Sequence, residues 1–494
     1  MNREQAVDAV RQMLSGPRPF ELERLDRIDA AMRPWTAQRA LQCLEIRGLT
    51  STQIEGPLAP LAGLARKSQT NFLPLILDTF SQSMKVDNYL SGGTIDPETK
   101  SRDRDTAAPW EWWQRNKMDA RQTGVHRTAL QYGVSYVTAL PSLRPNDPSN
   151  GVYLRAVSPR QMTALYGEPL EWDPRYGGPV DDDWPIMAME MKGPAIRLYD
   201  EQAVHFIGVK SVPQSALGWR DASYLRPSNF EYIEGRTHGV GVCPVIRYQD
   251  RMLLDGEEVF GIIEPLMVIQ ERIDETVFEA LVAQYYSAFR QRYVMGWMPK
   301  DQADALRQAA SDTWFFKDPN VKVGQFEATD LKNYSGAKAD AVRDLAAIGQ
   351  VPAQNVGIDG ISNISEATLA GLEAGKDRKA DEIETSLGES HEQMLRTCAH
   401  IAGDAESAAD FASEVVWRDK TARSFAQTVD GLGKLAQMLG IPDEVLWEDI
   451  PGWTREKVLR AKRARDEQDE FGTGGTPPAT TTEPQPVPGV PAGA

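Results

Sequence analysis

The pattern of apolar and polar positions changes period several times along the chain, and each change marks a part. Residues 1–70 read as helices interrupted by Pro17, Pro19, Pro34, Pro57 and Pro60, with amphipathic stretches such as FELERLDRIDAAM. SQTNFLPLILDTFSQSM follows as another helix, its Phe72, Ile76, Phe80 and Met84 recurring on one face as a core stripe. From 108 to 130, APWEWWQRNKMDARQTGVHRTAL is again helical, and it leads into YGVSYVTALPS, where the period becomes that of a strand. That switch predicts a helix docked on a sheet. Between 151 and 256 the short runs GVYLRAV, IMAMEMKG, AIRLYD, AVHFIGV and CPVIRYQD alternate with Gly and Pro, which predicts an α+β domain.

After Asp255-Gly256 the texture changes. Ile262, Leu266, Ile269, Ile273, Val277, Leu281 and Tyr285 form one apolar stripe, predicting a single helix over 257–290. Such a helix would extend roughly 50 Å, with Pro265 placed to kink it early. A small α/β insert is predicted over 291–333, from the strand-like QRYVMG, TWFFKD and VKVGQFE around a helical PKDQADALRQAAS. A second helix, 335–350, should stop at Val351-Pro352, because the residue before proline disfavours helical backbone. The Gly, Asn and Asp content of VPAQNVGIDGISNIS marks a loop, after which a long helix restarts with Ser365 as N-cap. Two or three short helices follow around LGIPDEVLWEDIPGWTREKV. Residues 471–494, with six prolines and almost no bulky apolar side chains, cannot form a core and are expected to be disordered.

Composition adds limits. The chain has 494 residues, 41% hydrophobic and 25% charged, which fits a folded protein of roughly three domain-sized units rather than a disordered or fibrous one. A net charge of -17 argues against a surface that grips nucleic acid, since such surfaces cluster Lys and Arg against phosphates. Cys43, Cys243 and Cys398 lie far apart, so neither a disulfide framework nor a thiolate metal site is legible, and a reducing compartment is expected. MNREQAVDAV lacks the apolar core of a signal peptide, and no run approaches the ~18 apolar residues of a membrane helix. Neither secretion nor membrane spanning is expected.

Candidate chemistry is sparse. GLEAGKD at 371–377 fails as a phosphate-binding loop: three residues separate Gly371 from Gly375, and Asp377 stands where a Ser or Thr would ligate magnesium. It reads instead as an exposed helix face. His391-Glu392 would need a histidine at Leu395 to bind zinc, and Ser135 in GVSYV has Val137 where a nucleophile elbow needs glycine. Asp181, Asp182 and Asp183 are expected to face water, and Trp110, Trp112 and Trp113 to pack a helix on a sheet rather than to stack bases. No catalytic residue, metal or cofactor is predicted. What remains is an order of parts: long helix, insert, shorter helix, loop, long helix. An insert between two helices projects at their far end. Glu257, Glu258, Glu264, Glu271, Asp274, Glu275 and Glu279 against Arg272 and Arg290 make the first helix acidic.

At this point the chain resembles the portal proteins of tailed bacteriophages, in the branch found among long-tailed phages of actinobacteria. The resemblance rests on WEWWQRNKMDARQ with GVSYV, GVCPVIRY, IIEPLMVIQERIDETVFEAL with AFRQRYVMG, LAAIGQVPAQNVG, NISEATLAGLEAG and VVWRDKTARSFAQTVDGLGKLAQMLGIP, in order over about residues 70–460. It implies a mainly helical α+β portal fold assembled as a ring. Residues 1–35 would be an N-terminal helical segment outside the resemblance, 36–256 the wing and 257–290 the first stem helix. The clip would be 291–333, the second stem helix 334–350, the tunnel loop 351–364, the long wing helix 365–402 and the crown 403–470. Function would be mechanical: a ring, usually of twelve subunits, at one capsid vertex, conducting double-stranded DNA in and out without sequence specificity. The implied partners are the major capsid protein, the terminase large subunit and then a head-to-tail adaptor, with no membrane. The implied location is the virion's portal vertex, and the host cytoplasm during assembly. The residues implied to matter are Val351, Pro352, Asn355, Gly357, Asp359, Gly360 and Asn363 in the loop; Glu264, Glu271, Asp274, Glu275 and Glu279 on the acidic stem; and Lys300, Asp301 and Lys317 in the clip. The residues alone leave open an ATPase or nuclease subunit of a packaging machine, and a minor head or scaffold protein.

Overall fold

The computed structural model describes residues 1–33, 59–95, 102–103, 106–142, 151–166, 184–251, 259–288, 292–295, 322–325, 331–357, 366–418, 425–447, 450, 453 and 455–470. It divides into two units, Met1–Arg418 and Asp419–Ala494.

The first unit is layered around strand Val134–Pro141, whose first six residues are buried without alternation because both its faces are covered. It is the middle of a three-stranded antiparallel sheet, between Val245–Gln249 and Val152–Val157. One face, Val134, Tyr136, Val157 and Val245, packs on Met162, Ala188, Tyr199 and Val204 of a second sheet. That sheet is a five-stranded antiparallel meander, ordered Phe230–Thr237, Ala203–Val209, Ala195–Tyr199, Met187–Lys192, Met162–Leu165. Its outer face, Met189, Ile196, Leu198 and Ile207, takes Ala6, Val10 and Leu14 of the N-terminal helix Arg3–Ser15. This helix is closed by a capping box between Asn2 and Gln5. Arg155 crosses from one sheet to the other, donating to the buried Glu190 (Nη1 to Oε1, 2.7 Å), whose carboxyl is held below its ordinary pKa despite burial.

The opposite face of the three-stranded sheet, Val137, Ala139, Leu154, Ile246 and Tyr248, joins the main core. Into it pack the helices Leu73–Ser83, Met118–Tyr132 and Glu366–Ala402. The last presents Ala380, Ile383, Leu387, His391, Met394 and Cys398 on one stripe, with spacings of three and four residues. Trp113 is fully buried here, donates its indole N–H to Asp119 (2.8 Å) and stacks on Trp110 at 5.0 Å, so the tryptophan cluster packs a helix as expected. GLEAGKD lies within the helix Glu366–Ala402, and Cys243 and Cys398 are buried thiols. Cys43 and Asp181 to Asp183 lie outside the described residues.

Three features depart from the sequence reading. Strand Glu414–Trp417 pairs antiparallel with Val86–Leu90, so residues 403–418 belong with the first unit and the boundary falls at 418/419. Strands Met162–Leu165 and Phe230–Thr237, not among the runs named from the sequence, complete the five-stranded sheet. The long helix begins later than 257: residues 259–263 are not helical, Glu264–Leu266 is one 3-10 turn, and the α-helix runs Met267–Ala288. Pro265 sits in that entry turn, where a missing N–H costs nothing, rather than at a kink.

The non-helical entry is fixed by a backbone contact. Ile262 N donates to Leu130 O (2.9 Å), and this approach leaves no room at Gly261, where a Cβ would lie 2.2 Å from Leu130 O and 2.8 Å from Gly133 N. Gly133 itself ends the helix Met118–Tyr132 at φ +89. Gly261→Ala is therefore expected to cost about 1–3 kcal/mol by overpacking, measured by thermal or urea unfolding. Gly124→Ala in the neighbouring helix, where a Cβ meets nothing within 4 Å, should be neutral or slightly stabilising.

Candidate functional site

The helix Met267–Ala288 and the helix Lys332–Gly349 form an antiparallel pair, since a Cβ at Gly349, the end of the second, would lie 3.6 Å from Leu266 at the start of the first. Twenty-two residues at 1.5 Å make the first about 33 Å long, rather than 50 Å. The second packs through Ala341, Val342, Leu345 and Ala346, small and branched residues at i, i+1, i+4, i+5, against Ile273 and Leu266. Arg272 pairs across the two helices with Asp344 on the exposed side. At the far end of the pair, strands Arg292–Met295 and Lys322–Gln325 form a two-stranded antiparallel ribbon within the predicted insert. Lys300, Asp301 and Lys317 lie outside the described residues.

The acidic residues of the first helix divide into two kinds. Glu264 accepts from Arg24 (2.6 Å), and Asp274 accepts from the backbone N–H of Thr70 (3.0 Å) and from Gln270 (2.9 Å). Both are anchors. Glu271, Glu275 and Glu279 are exposed and recur every four residues, so they form one solvent-facing acidic ridge. Gln270, passed over in the sequence, holds the base of the helix: its amide donates to Thr70 O (2.8 Å) and accepts from Phe72 N (3.0 Å) while only 2% exposed. The signal was present, a polar residue four after Leu266 and three before Ile273 on the buried stripe.

The loop after the second helix starts differently from the expected proline stop. The helix ends in a Schellman turn, with Val351 N to Ala346 O (3.0 Å) and Gln350 N to Ala347 O (3.2 Å), and Gln350 takes the left-handed position at φ +55. Lys379 of the long helix reaches Gly349 O at 3.4 Å, and burial pulls its ammonium below the ordinary pKa. Pro352 follows the stop instead of making it. A glycine suits that backbone better, so Gln350→Gly is expected to gain about 1 kcal/mol in unfolding measurements. Beyond it Val351, Pro352 and Val356 are buried, whereas Asn355 and Gly357 are exposed, with Gly357 left-handed at φ +78. The first half of the predicted loop is thus seated in the core. Asp359, Gly360 and Asn363 lie outside the described residues.

Among the described residues no group of His, Cys, Asp and Glu is placed to hold a metal ion, and no helix is long and apolar enough to cross a membrane. The most prominent buried polar cluster is structural: His126 and His391 meet Nε2 to Nε2 at 2.8 Å, and Tyr248 Oη lies 3.1 Å from His391 Nδ1. Burial lowers both imidazoles, His126 to about 4, and raises the Tyr248 phenol.

Residues 58–470 match the family model of the SPP1 Gp6-like phage portal proteins. The chain belongs to the phage portal proteins. It is similar to the portal protein of Mycobacterium phage D29, 22% identical over 440 residues covering 85% of this chain and 83% of that one. The portal protein of Mycobacterium phage L5 is 23% identical over 379 residues, covering 73% and 71%. Among solved structures it is similar to a chain in the neck of an empty GTA particle computed with C6 symmetry, at 12% identity and a TM-score of 0.42, over 77% of this chain and 86% of that one. A chain in the neck of a native GTA particle computed with C12 symmetry gives 12%, 0.40, 67% and 79%. A portal forms the ring channel at one capsid vertex through which double-stranded DNA is packaged and ejected, and that is the function of this chain. Its mainly helical α+β fold is the portal fold, and its place is the virion.

Proposed function

We propose that this portal works as a passive conduit, with the helix pair Met267–Ala288 and Lys332–Gly349 as the stem, the insert 291–333 as the clip and 351–364 as the tunnel loop. What carries this reading is the antiparallel pair itself, which bears an insert at its far end and returns into a loop at its base. On this assignment the wing is 36–256 with the long helix 365–402, the crown lies within 419–470, and twelve subunits close the ring. Glu271, Glu275 and Glu279 face the bore, where repulsion of phosphates over roughly 8–10 Å keeps DNA from adhering as it passes. The clip docks the terminase large subunit through charges including Lys300, Asp301 and Lys317, and later the head-to-tail adaptor. The wing meets the major capsid protein, and assembly takes place in the host cytoplasm. No catalytic step belongs to this chain; ATP hydrolysis by the purified protein would overturn that part.

A negative-stain image of the assembled protein is expected to show rings with a central hole. The loop is tested separately. Asp359→Trp with Asn363→Trp should leave ring assembly intact and impair DNA packaging several-fold, because one formal charge in the segment leaves shape and polar contact as its means of touching DNA. Unimpaired packaging, with the loop located on the outer surface of the ring, would exclude the tunnel assignment.

A further inference from the structure

The unit Asp419–Ala494 has little core of its own. Among its described residues only Leu446 and Val458 are buried apolar side chains. Trp447 lies 6.4 Å from Trp453 and beneath the Arg465 guanidinium at 5.6 Å, and Arg465 also pairs with Glu444 at 3.4 Å. Against this thin packing stands a strongly amphipathic helix, Phe425–Leu439, whose described apolar side is exposed at Val429, Leu435 and Leu439 and half-buried at Leu432 and Ala436. Val429, Leu435 and Leu439 are 46%, 40% and 68% exposed, and at 100° per residue they fall with Leu432 and Ala436 on one stripe about 120° wide. Met438, off the stripe by roughly 60°, is 80% exposed, and Val445 of the next helix, Asp443–Leu446, is 59% exposed. A helix of this kind normally buries that stripe.

We infer that the stripe Val429–Leu432–Leu435–Leu439 is an intersubunit seam, covered in the ring by the same unit of a neighbouring copy. The inference rests on the ring reading and adds the surface that closes it in this unit. Two features point to a second copy as the occupant. Asp430 and Lys434 are the only charges in the helix and neutralise each other (2.6 Å) on the side away from the stripe, so copies that each carry -17 can approach here without repulsion. The helix Arg455–Glu470 is dipolar in sequence: Arg455, Lys457, Arg460, Lys462, Arg463 and Arg465, interrupted only by Glu456, precede Asp466, Glu467, Asp469 and Glu470. A rotational ring contact joins unlike surfaces of successive copies, so the basic half of one unit can face the acidic half of the next. The seam gives each copy the apolar burial its own unit lacks.

The test uses the full-length protein, separated into monomer and ring fractions, with hydrogen exchange read over 425–446. Wild-type rings are expected to protect the amides of 425–439 at least tenfold more than monomers do. Leu435→Glu with Leu439→Glu should abolish that gain and lower ring yield several-fold, while Lys434→Glu on the opposite side should change neither. Rings whose 425–439 amides exchange as fast as those of monomers overturn the seam and leave the ring reading standing. Protection that appears only after the major capsid protein is added also overturns it, naming another occupant. Failure of the wild-type protein to form rings under any condition overturns the ring reading itself, and the seam with it.

Discussion

Ile273→Asp is expected to abolish the ring and to cost on the order of 5 kcal/mol of subunit stability. Ile273 is fully buried at the point where the helices Met267–Ala288 and Lys332–Gly349 meet, within the same core as Leu266, Val342 and Leu345. A carboxylate there finds no cation, since the nearby Arg272 and Asp344 already pair on the exposed side. The cost is a large fraction of the ~5–15 kcal/mol that holds a typical domain together. Ile273→Val, which removes one methyl, should cost about 1 kcal/mol and leave rings intact. Unfolding measurements give the first number, and a mass measurement on the assembled protein gives the ring fraction. Wild-type stability and normal rings in the aspartate variant would mean that the helix Met267–Ala288 does not sit as described.

That prediction could be framed from the sequence, because the stripe through Leu266, Ile269 and Ile273 is a local signal at helical spacing. Its limits were equally physical. A hydrophobic period continues across Pro265 whether the backbone is helical or not, so the non-helical entry at 259–263 could not be read from apolar spacing. It is set by the approach of Ile262 to Leu130, more than a hundred residues earlier. The pairing of Val86–Leu90 with Glu414–Trp417 is more distant still, and four residues of strand leave too weak an alternation to announce a partner. Along the helix Met267–Ala288 and its entry turn, net acidity was visible but its division was not. Glu264 and Asp274 become anchors only because Arg24 and Thr70 are brought to them by the N-terminal segments. Glycine, asparagine and aspartate content marked a loop after Gln350, yet composition could not tell a projecting loop from one whose Val351 and Val356 are seated in the core.

The buried histidine pair predicts an acid response that can be isolated by mutation. His391 Nδ1 lies 3.1 Å from Tyr248 Oη, whose hydroxyl donates to Met394 Sδ (3.4 Å), and the Nε2 atoms of His126 and His391 share one hydrogen bond at 2.8 Å. This chain of neutral groups joins the long helix, the helix Met118–Tyr132 and the central sheet, with Trp113 and Trp417 packed around it. The thiol of Cys398 nearby is itself pushed up by burial. The folded protein holds His126 near 4 against 6.5 in an unfolded chain, so its contribution is complete above pH 6.5 and is lost as pH falls from there toward 4. A shift of that size corresponds to about 3 kcal/mol, and His391 acts in the same direction. Glu392 acts in the opposite sense. Burial pushes its carboxyl up to about 7, so its contribution is present below the unfolded value of 4.5 and is lost as pH rises toward 7. The wild-type melting curve between pH 7.5 and 4.5 therefore contains opposed effects, with the buried Asp250 carboxyl, also pushed up, acting in the same sense as Glu392. His126→Leu with His391→Leu removes only the first, leaving Tyr248 its sulfur partner. Relative to the wild type, that variant is expected to gain at least about 3 kcal/mol on going from pH 7.5 to 4.5, the His126 share alone. Parallel pH curves for the two proteins would show that the imidazoles are not held neutral in the folded protein.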